Sequence, residues 1–581
     1  MKKLYSSAIV TLFLSFSLHA QSDKQLNKLF IEIGKIEKSY AVSNPVWSGE
    51  HPKKYVFQKA EAQIKLANEL KAKLESLIAI ADDKLSDQAQ INKQIKILQL
   101  KNSISQTQYK TYLIPFNSEG GFFNSPSFFL PNLTFKTKQD YDNYLNWLPS
   151  FAEFISYNQG LMKQGIEEKI QAPKVIAKNA VDLLATWTKD DVTAHPFYAP
   201  IKNIPANISQ ADREAIESGA QKVISEVILP SYKKLRKFID QEYLPKAPKK
   251  VGISEIKDGR AYYENRVQHF TTLAITPDSV YATGLSEVAR IRKLMEWIIK
   301  DLQFEGSFAE FLQFLRTDPQ FYPQSGQELL NRAAWLSKKA EGQLPMLFSK
   351  LYSLPFTVEP VPDAIAPKYT GGRYVGGSRS QNKPGIYWVN TYNLSSRTLY
   401  TLPALSLHEA VPGHHLQITL ASELEGLPGF RSGYYISAFG EGWGLYSEYL
   451  GEEMGMYETP YELFGRYTYE MWRACRLVVD VGLHYKGWTR QQAIDYMAEN
   501  TALSLHEVNT EIDRYIGWPG QALSYKMGEL TIITLRKRAN TALGDRFDIQ
   551  QFHDVILRNG AVPLPILSAE VEKYISSEKS K

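Results

Sequence analysis

Across residues 23–42 and 56–106, apolar side chains recur three and four positions apart among Lys, Gln, Glu and Ala, the period of an amphipathic helix. Residues 138–186 and 208–245 repeat the pattern. The second opens at Ser209 with Asp212 three positions on, resembling a capping box, and closes before Pro245. Gly- and Pro-bearing breaks at 112–136 and 245–254 set this first part apart from helical stretches at about 279–304, 306–316 and 325–350. The period changes at 354–398. There Phe356-Thr-Val-Glu-Pro, Gly371-Gly-Arg-Tyr-Val-Gly-Gly and Ile386-Tyr-Trp-Val-Asn mix β-formers with Gly and Pro, the signature of strands and loops. From 400 onward the helical period returns, broken at Pro428-Gly429, Gly487 and Trp518-Pro519-Gly520. Thr489 to Gln492 and Ser504 to Glu507 mark helix starts. The pattern predicts a mainly α chain, in parts of about 21–250 and 251–581, with a small sheet beside one helix.

Composition narrows the class. The chain has 581 residues, 44% of them hydrophobic, which excludes a disordered or collagen-like chain and supplies a sizeable core. Its single cysteine, Cys475, excludes an intrachain disulfide and any multi-thiolate metal site. Residues 1–20 read as an export signal: Lys2 and Lys3, a short apolar stretch from Ala8 to Leu18, and Ala20 at a cleavage position. No cysteine follows it to carry a lipid. Removing it lowers the net charge from +5 to +3. Acidic and basic residues are interspersed rather than clustered, so the chain carries no nucleic-acid footprint. No later segment is long and apolar enough to span a membrane. The mature protein is expected to be exported to the periplasm or secreted.

The candidate chemistry is concentrated in Leu405-Ser-Leu-His-Glu-Ala-Val-Pro-Gly-His-His-Leu-Gln417. His408-Glu409 begins like a zinc-protease helix, in which two histidines four apart bind the metal and the intervening Glu is the base. Position 412, however, is Pro. On an unbroken helix His408 and His415 share a face but stand about 10 Å apart, too far for one ion. Pro412 lacks an N–H and clashes with the carbonyl of residue 408, and Gly413 permits a distorted backbone. A break there brings His414 to the second ligand position, with His415 as the alternative. Glu441, flanked by Gly440 and Gly442, is the expected third ligand, and Glu448 a supporting acid. Zinc on His408, His414 and Glu441 leaves a position for water, with Glu409 as general base. Arg514, Tyr515 and Tyr525, around the Pro519-Gly520 break, are candidate donors to substrate or to its oxyanion. His484, four residues after Asp480, suits an oriented catalytic imidazole. Arg473 and Arg476 suit either a substrate carboxylate or a structural role.

The segment His408-Glu-Ala-Val-Pro-Gly-His-His-Leu-Gln417 resembles the bacterial family called domain of unknown function 885. So do Gly440-Glu-Gly-Trp-Gly-Leu-Tyr-Ser-Glu448, Arg473 to His484 and Trp518 to Lys526. More remotely, Gly413-His414 and Glu441 resemble the Gly-His and Glu of helical gluzincin peptidases. That likeness implies two helical lobes around a deep cleft, and a strand edge that holds an extended peptide. Residues 370–390, with Arg373 and Tyr374, are expected in that role. The function implied is a zinc metallopeptidase acting on short or unfolded peptides. The alternatives are a zinc amidohydrolase on a cell-wall or other amide, and a catalytically silent metal- or peptide-binding protein.

Overall fold

The computed structural model describes residues 2–363 and 365–581, with side chains other than those of residues 1–18, 364 and 368. The export signal expected at 1–20 therefore lies almost wholly outside the described side chains. The chain is mainly α, with 71% of its residues helical and only small sheets. Among the described residues no helix is long and apolar enough to cross a membrane.

The chain divides into two compact units, Met1–Lys93 with Ile97–Tyr262, and Gln94–Lys96 with Tyr263–Lys581. The division falls inside the helix Gly259–Thr271, about eight residues past the end of the break at 245–254.

In the first unit the expected stretch 56–106 is two helices, Ala60–Ala79 and Asp87–Gln108, parted by a turn. Residues 138–186 are also divided, into Lys138–Glu168 and Lys174–Leu183. Lys169 adopts a left-handed conformation that ends the first of these, and Pro173 caps the second. The break at 112–136 holds a two-residue hairpin, Phe116–Asn117 with Gly120–Gly121. Strands so short have no alternation to reveal them.

The second unit is built around α4 (Pro460–Tyr485), whose residues from Phe464 to His484 are all buried. Beside it run α3 (Ser437–Glu453), α5 (Leu505–Gly517) and α6 (Ser524–Leu543). Gly442 of α3 meets Gly528 of α6 so closely that a Cβ on Gly442 would lie 2.5 Å from the Gly528 Cα. The sheet has three strands, β1 (Phe356–Pro360), β2 (Gly372–Val375) and β3 (Gly385–Val389), in the order β1-β3-β2. β1 runs parallel to β3, and β2 antiparallel with Tyr374 opposite Tyr387. Tyr387 and Val389 pack with Leu329, Ala333 and Leu402, which seats the sheet against α1 (Leu402–Glu409).

Candidate metal centre

α1 ends at Glu409, and α2 (His414–Ser422) begins five residues later. Proline supplies no N–H to continue the first helix. Gly413 is required by space: a Cβ there would lie 1.9 Å from the His408 carbonyl oxygen and 2.4 Å from that of Leu407. The Trp443 indole N–H donates to the Pro412 carbonyl at 2.8 Å, fixing the turn from the side of α3.

This break turns His414 toward His408, their rings 4.7 Å apart and nearly perpendicular. Glu441 enters from α3. One ligand atom from each of the three residues lies within 4.8 Å of the others. His408 Nε2 and His414 Nε2 both approach Glu441 Oε2, at 3.5 and 3.4 Å. These separations exceed the usual N–H···O range of about 2.7–3.2 Å. They match the edge of a tetrahedron with metal–ligand bonds of about 2.0–2.1 Å, which is about 3.3 Å. Two imidazoles and a carboxylate converging on one point fit a borderline divalent ion such as zinc.

A second layer holds the first. His408 Nδ1 is 2.7 Å from Glu448 Oε1, and Arg473 Nη2 is 3.1 Å from the same oxygen. Glu441 and Glu448 stand two turns apart on α3, so one helix engages both ring nitrogens of His408. Tyr435 donates to the other oxygen of Glu441 at 2.8 Å. Burial works against charge on both His408 and Glu441, yet Glu441 and Glu448 beside His408, and His408 and His414 beside Glu441, outweigh it. The imidazole is pushed up to about 9 and the carboxyl is held well below its ordinary range. Carboxylates behind metal-bound imidazoles fix ring orientation and raise ligand basicity. Glu448→Gln is therefore expected to weaken zinc affinity about 10–100-fold. Competition against a chromogenic chelator measures this; wild-type affinity in the variant would remove Glu448 from the centre.

Glu409 does not join the three ligands. Its Oε2 accepts the backbone N–H of Tyr374 on β2 at 2.7 Å. Tyr374 thus meets the site through its amide, while its hydroxyl lies 2.9 Å from His415 Nδ1. His415 stands outside the triad, its ring packed on Tyr352 and Phe356. Tyr525 is half-buried, with its ring 6.4 Å from that of His408 and nearly parallel to it. The Arg476 guanidinium lies 4.2 Å over its centroid. Arg373 is exposed on β2, its guanidinium 5.4 Å from the Tyr369 ring.

Three further expected site residues lie on α4 and α5. His484 is fully buried and its Nε2 lies 2.9 Å from the Tyr515 carbonyl. Asp480, its expected partner, instead accepts from the Tyr263 hydroxyl at 2.6 Å and the Gly520 amide at 3.1 Å. Arg514 binds Glu511 and Gln521, at 3.0 and 2.7 Å. The buried Tyr515 hydroxyl accepts from Trp472 and Arg476, both at 2.8 Å. These contacts tie α4 and α5 to each other and to the turn before Tyr525. Tyr435 and Trp443 were not foreseen, because their partners are a carboxylate six residues away and a main-chain carbonyl 31 residues back.

A family model described as "Bacterial protein of unknown function (DUF885)" matches residues 50–571. No curated protein matches the chain. Two solved structures are similar over nearly their whole length, each described as a "putative lipoprotein". One, from Colwellia psychrerythraea, is 29% identical with a TM-score of 0.86, over 96% of this chain and 99% of that one. The other, of unknown function from Shewanella oneidensis, is 17% identical with a TM-score of 0.70, over 95% and 99%. At that identity the second likeness shows the fold alone.

Proposed function

The chain belongs to the bacterial family DUF885, and from its site we propose an exported, zinc-dependent metallopeptidase that hydrolyses short or unfolded peptides. The observation that carries the reading is the convergence of His408, His414 and Glu441, one ligand atom of each within 4.8 Å of the others and both histidines 3.4–3.5 Å from Glu441, with Glu409 next in the chain to His408. Bound zinc would polarise the scissile carbonyl and make water acidic enough to attack at neutral pH.

The remaining work falls to side chains. Glu409, steadied on one oxygen by the Tyr374 amide, takes the proton of the attacking water and returns it to the leaving nitrogen. Tyr525, its ring 6.4 Å from that of His408, offers its hydroxyl to the developing oxyanion. β2 is an edge strand of its sheet, and an extended peptide laid along it would present its main chain to Glu409. The export signal read at residues 1–20 supports a periplasmic or secreted location, as does the lipoprotein description of the Colwellia protein.

Zinc content, with hydrolysis of a random peptide library and of muropeptides, tests the proposal. Stoichiometric zinc with cleaved peptides supports it, cleavage of muropeptides alone would move the activity to cell-wall amides, and zinc without turnover would leave a binding protein. Tyr525→Phe is expected to lower kcat about 10²–10³-fold with KM little changed. Steady-state kinetics on a peptide found in the screen reads this, and an unchanged kcat would remove Tyr525 from the reaction.

A further inference from the structure

Glu441 presents its two oxygens to different partners. Oε2 faces both histidines, 3.5 Å from His408 Nε2 and 3.4 Å from His414 Nε2. Oε1 accepts the Tyr435 hydroxyl at 2.8 Å. A phenol ionises near pH 10 and a carboxylic acid near pH 4, so the shared proton stays on the tyrosine. To turn toward the histidines as well, Oε1 would have to give up a hydrogen bond of the stronger, charge-assisted kind.

Tyr435 reaches this oxygen from the loop just ahead of α3, two residues after Gly433, whose φ is +71°. Gly440 makes the reach possible. A Cβ there would fall 2.4 Å from Cε2, 2.5 Å from the hydroxyl oxygen and 2.6 Å from Cζ of Tyr435. The ring therefore lies against bare backbone in the first turn of α3. The two glycines that flank Glu441 serve different neighbours, Gly440 the tyrosine and Gly442 the backbone of α6. Glu448 and Arg473, which support His408, are buried, whereas Tyr435 is 45% exposed. An exposed phenol gains little stability from a hydrogen bond that water could replace. Its placement points to a task at Glu441.

We propose that Tyr435 is a positioning residue that restrains Glu441 to a single ligand oxygen, Oε2, and so keeps one position on the metal free for water. Two imidazoles and one carboxylate oxygen are the three protein ligands that leave zinc an open position, and a second carboxylate oxygen would compete with water for it. The proposal rests on the zinc centre, and not on which amide bond is cut.

The cobalt-substituted protein tests it, with Tyr435→Phe, which removes only the hydroxyl, and Gly440→Ala, which keeps the hydroxyl but pushes the ring off α3. Both variants are expected to retain the metal. Their visible cobalt absorption should weaken by roughly half as the second carboxylate oxygen joins the ligands. Azide, which takes the open position in the parent, should bind about tenfold more weakly. Peptide hydrolysis should fall in kcat more than in KM. A tyrosine that only supported the ligand would instead lower metal affinity about 10–100-fold and leave the absorption and azide binding as in the parent. That result, or azide binding equal to the parent's in either folded variant, would overturn the proposal. If Gly440→Ala does not fold, as judged by thermal melting, Tyr435→Phe decides. A parent protein that takes up neither cobalt nor zinc would overturn the zinc centre and this proposal with it, so the two failures are told apart in the parent.

Discussion

Glu409→Gln should leave one zinc bound per chain and lower peptide hydrolysis about 10²–10⁴-fold, the usual contribution of a positioned general base. The substitution keeps size and an oxygen that can accept the Tyr374 amide, 2.7 Å away in the parent protein. What it removes is the ability to take a proton. Because Glu409 lies outside the ligand triad, metal content and activity should separate. Elemental analysis of the purified variant, beside its kcat on a library-derived peptide, reads both. Full activity would mean that another group moves the proton; loss of metal would mean that Glu409 is a ligand.

Gly413→Ala should act on the metal itself. Its new Cβ would fall 1.9 Å from the His408 carbonyl oxygen, a backbone atom that cannot turn aside as a side chain can. The turn between α1 and α2 has to open, and it joins His408 and His414, the proposed ligands, directly. Zinc affinity is expected to fall by more than about 100-fold, beyond the loss of a supporting hydrogen bond, and activity with it. Overpacking of this kind also costs about 1–3 kcal/mol of stability. Metal titration and thermal melting separate the two effects. A variant that binds zinc as the parent does would show that the break tolerates bulk, and the account of the turn would fail.

The sequence made the centre legible through local chemistry. Pro412 forbids a continuous helix, and the spacing of His408 and His415 is too long for one ion. What local rules could not decide was the direction of the turn, and so whether His414 or His415 follows His408. That depends on Trp443, which reaches the Pro412 carbonyl from another helix. Glu448 was visible as an acid two turns from Glu441, but its burial came only with the fold.

The burial of His484 belongs to a pattern along α4. Arg466, Glu470, Arg473, Arg476, Asp480 and His484 recur at spacings of three and four, which reads as a polar face open to solvent or substrate. The structure buries the whole stripe. Arg466 pairs with Glu470, Glu470 with Lys526, Arg473 with Glu448, and Arg476 with Glu511. Periodicity reports which residues share a face, not what that face meets. Buried charge of this kind is retained only where partners from several helices converge, and those partners are far away in the sequence.

The crossing of α3 and α6 at Gly442 and Gly528 sets a limit on how this site can diversify. Glu441 adjoins the first glycine and Tyr525 lies one turn before the second, so ligand and hydroxyl ride on helices in backbone contact. There is no compressible layer of side chains between them to enlarge or shrink. Their relative placement behaves as a fixed gauge that substitutions elsewhere in the core do not reset. On the strand side the constraint is uneven: Gly372 and Gly377 face backbone at 2.9 and 2.5 Å, but Gly376, just beyond β2, has open space where its side chain would be. New preferences among relatives are expected to accumulate along that margin, while the α3–α6 crossing stays bare.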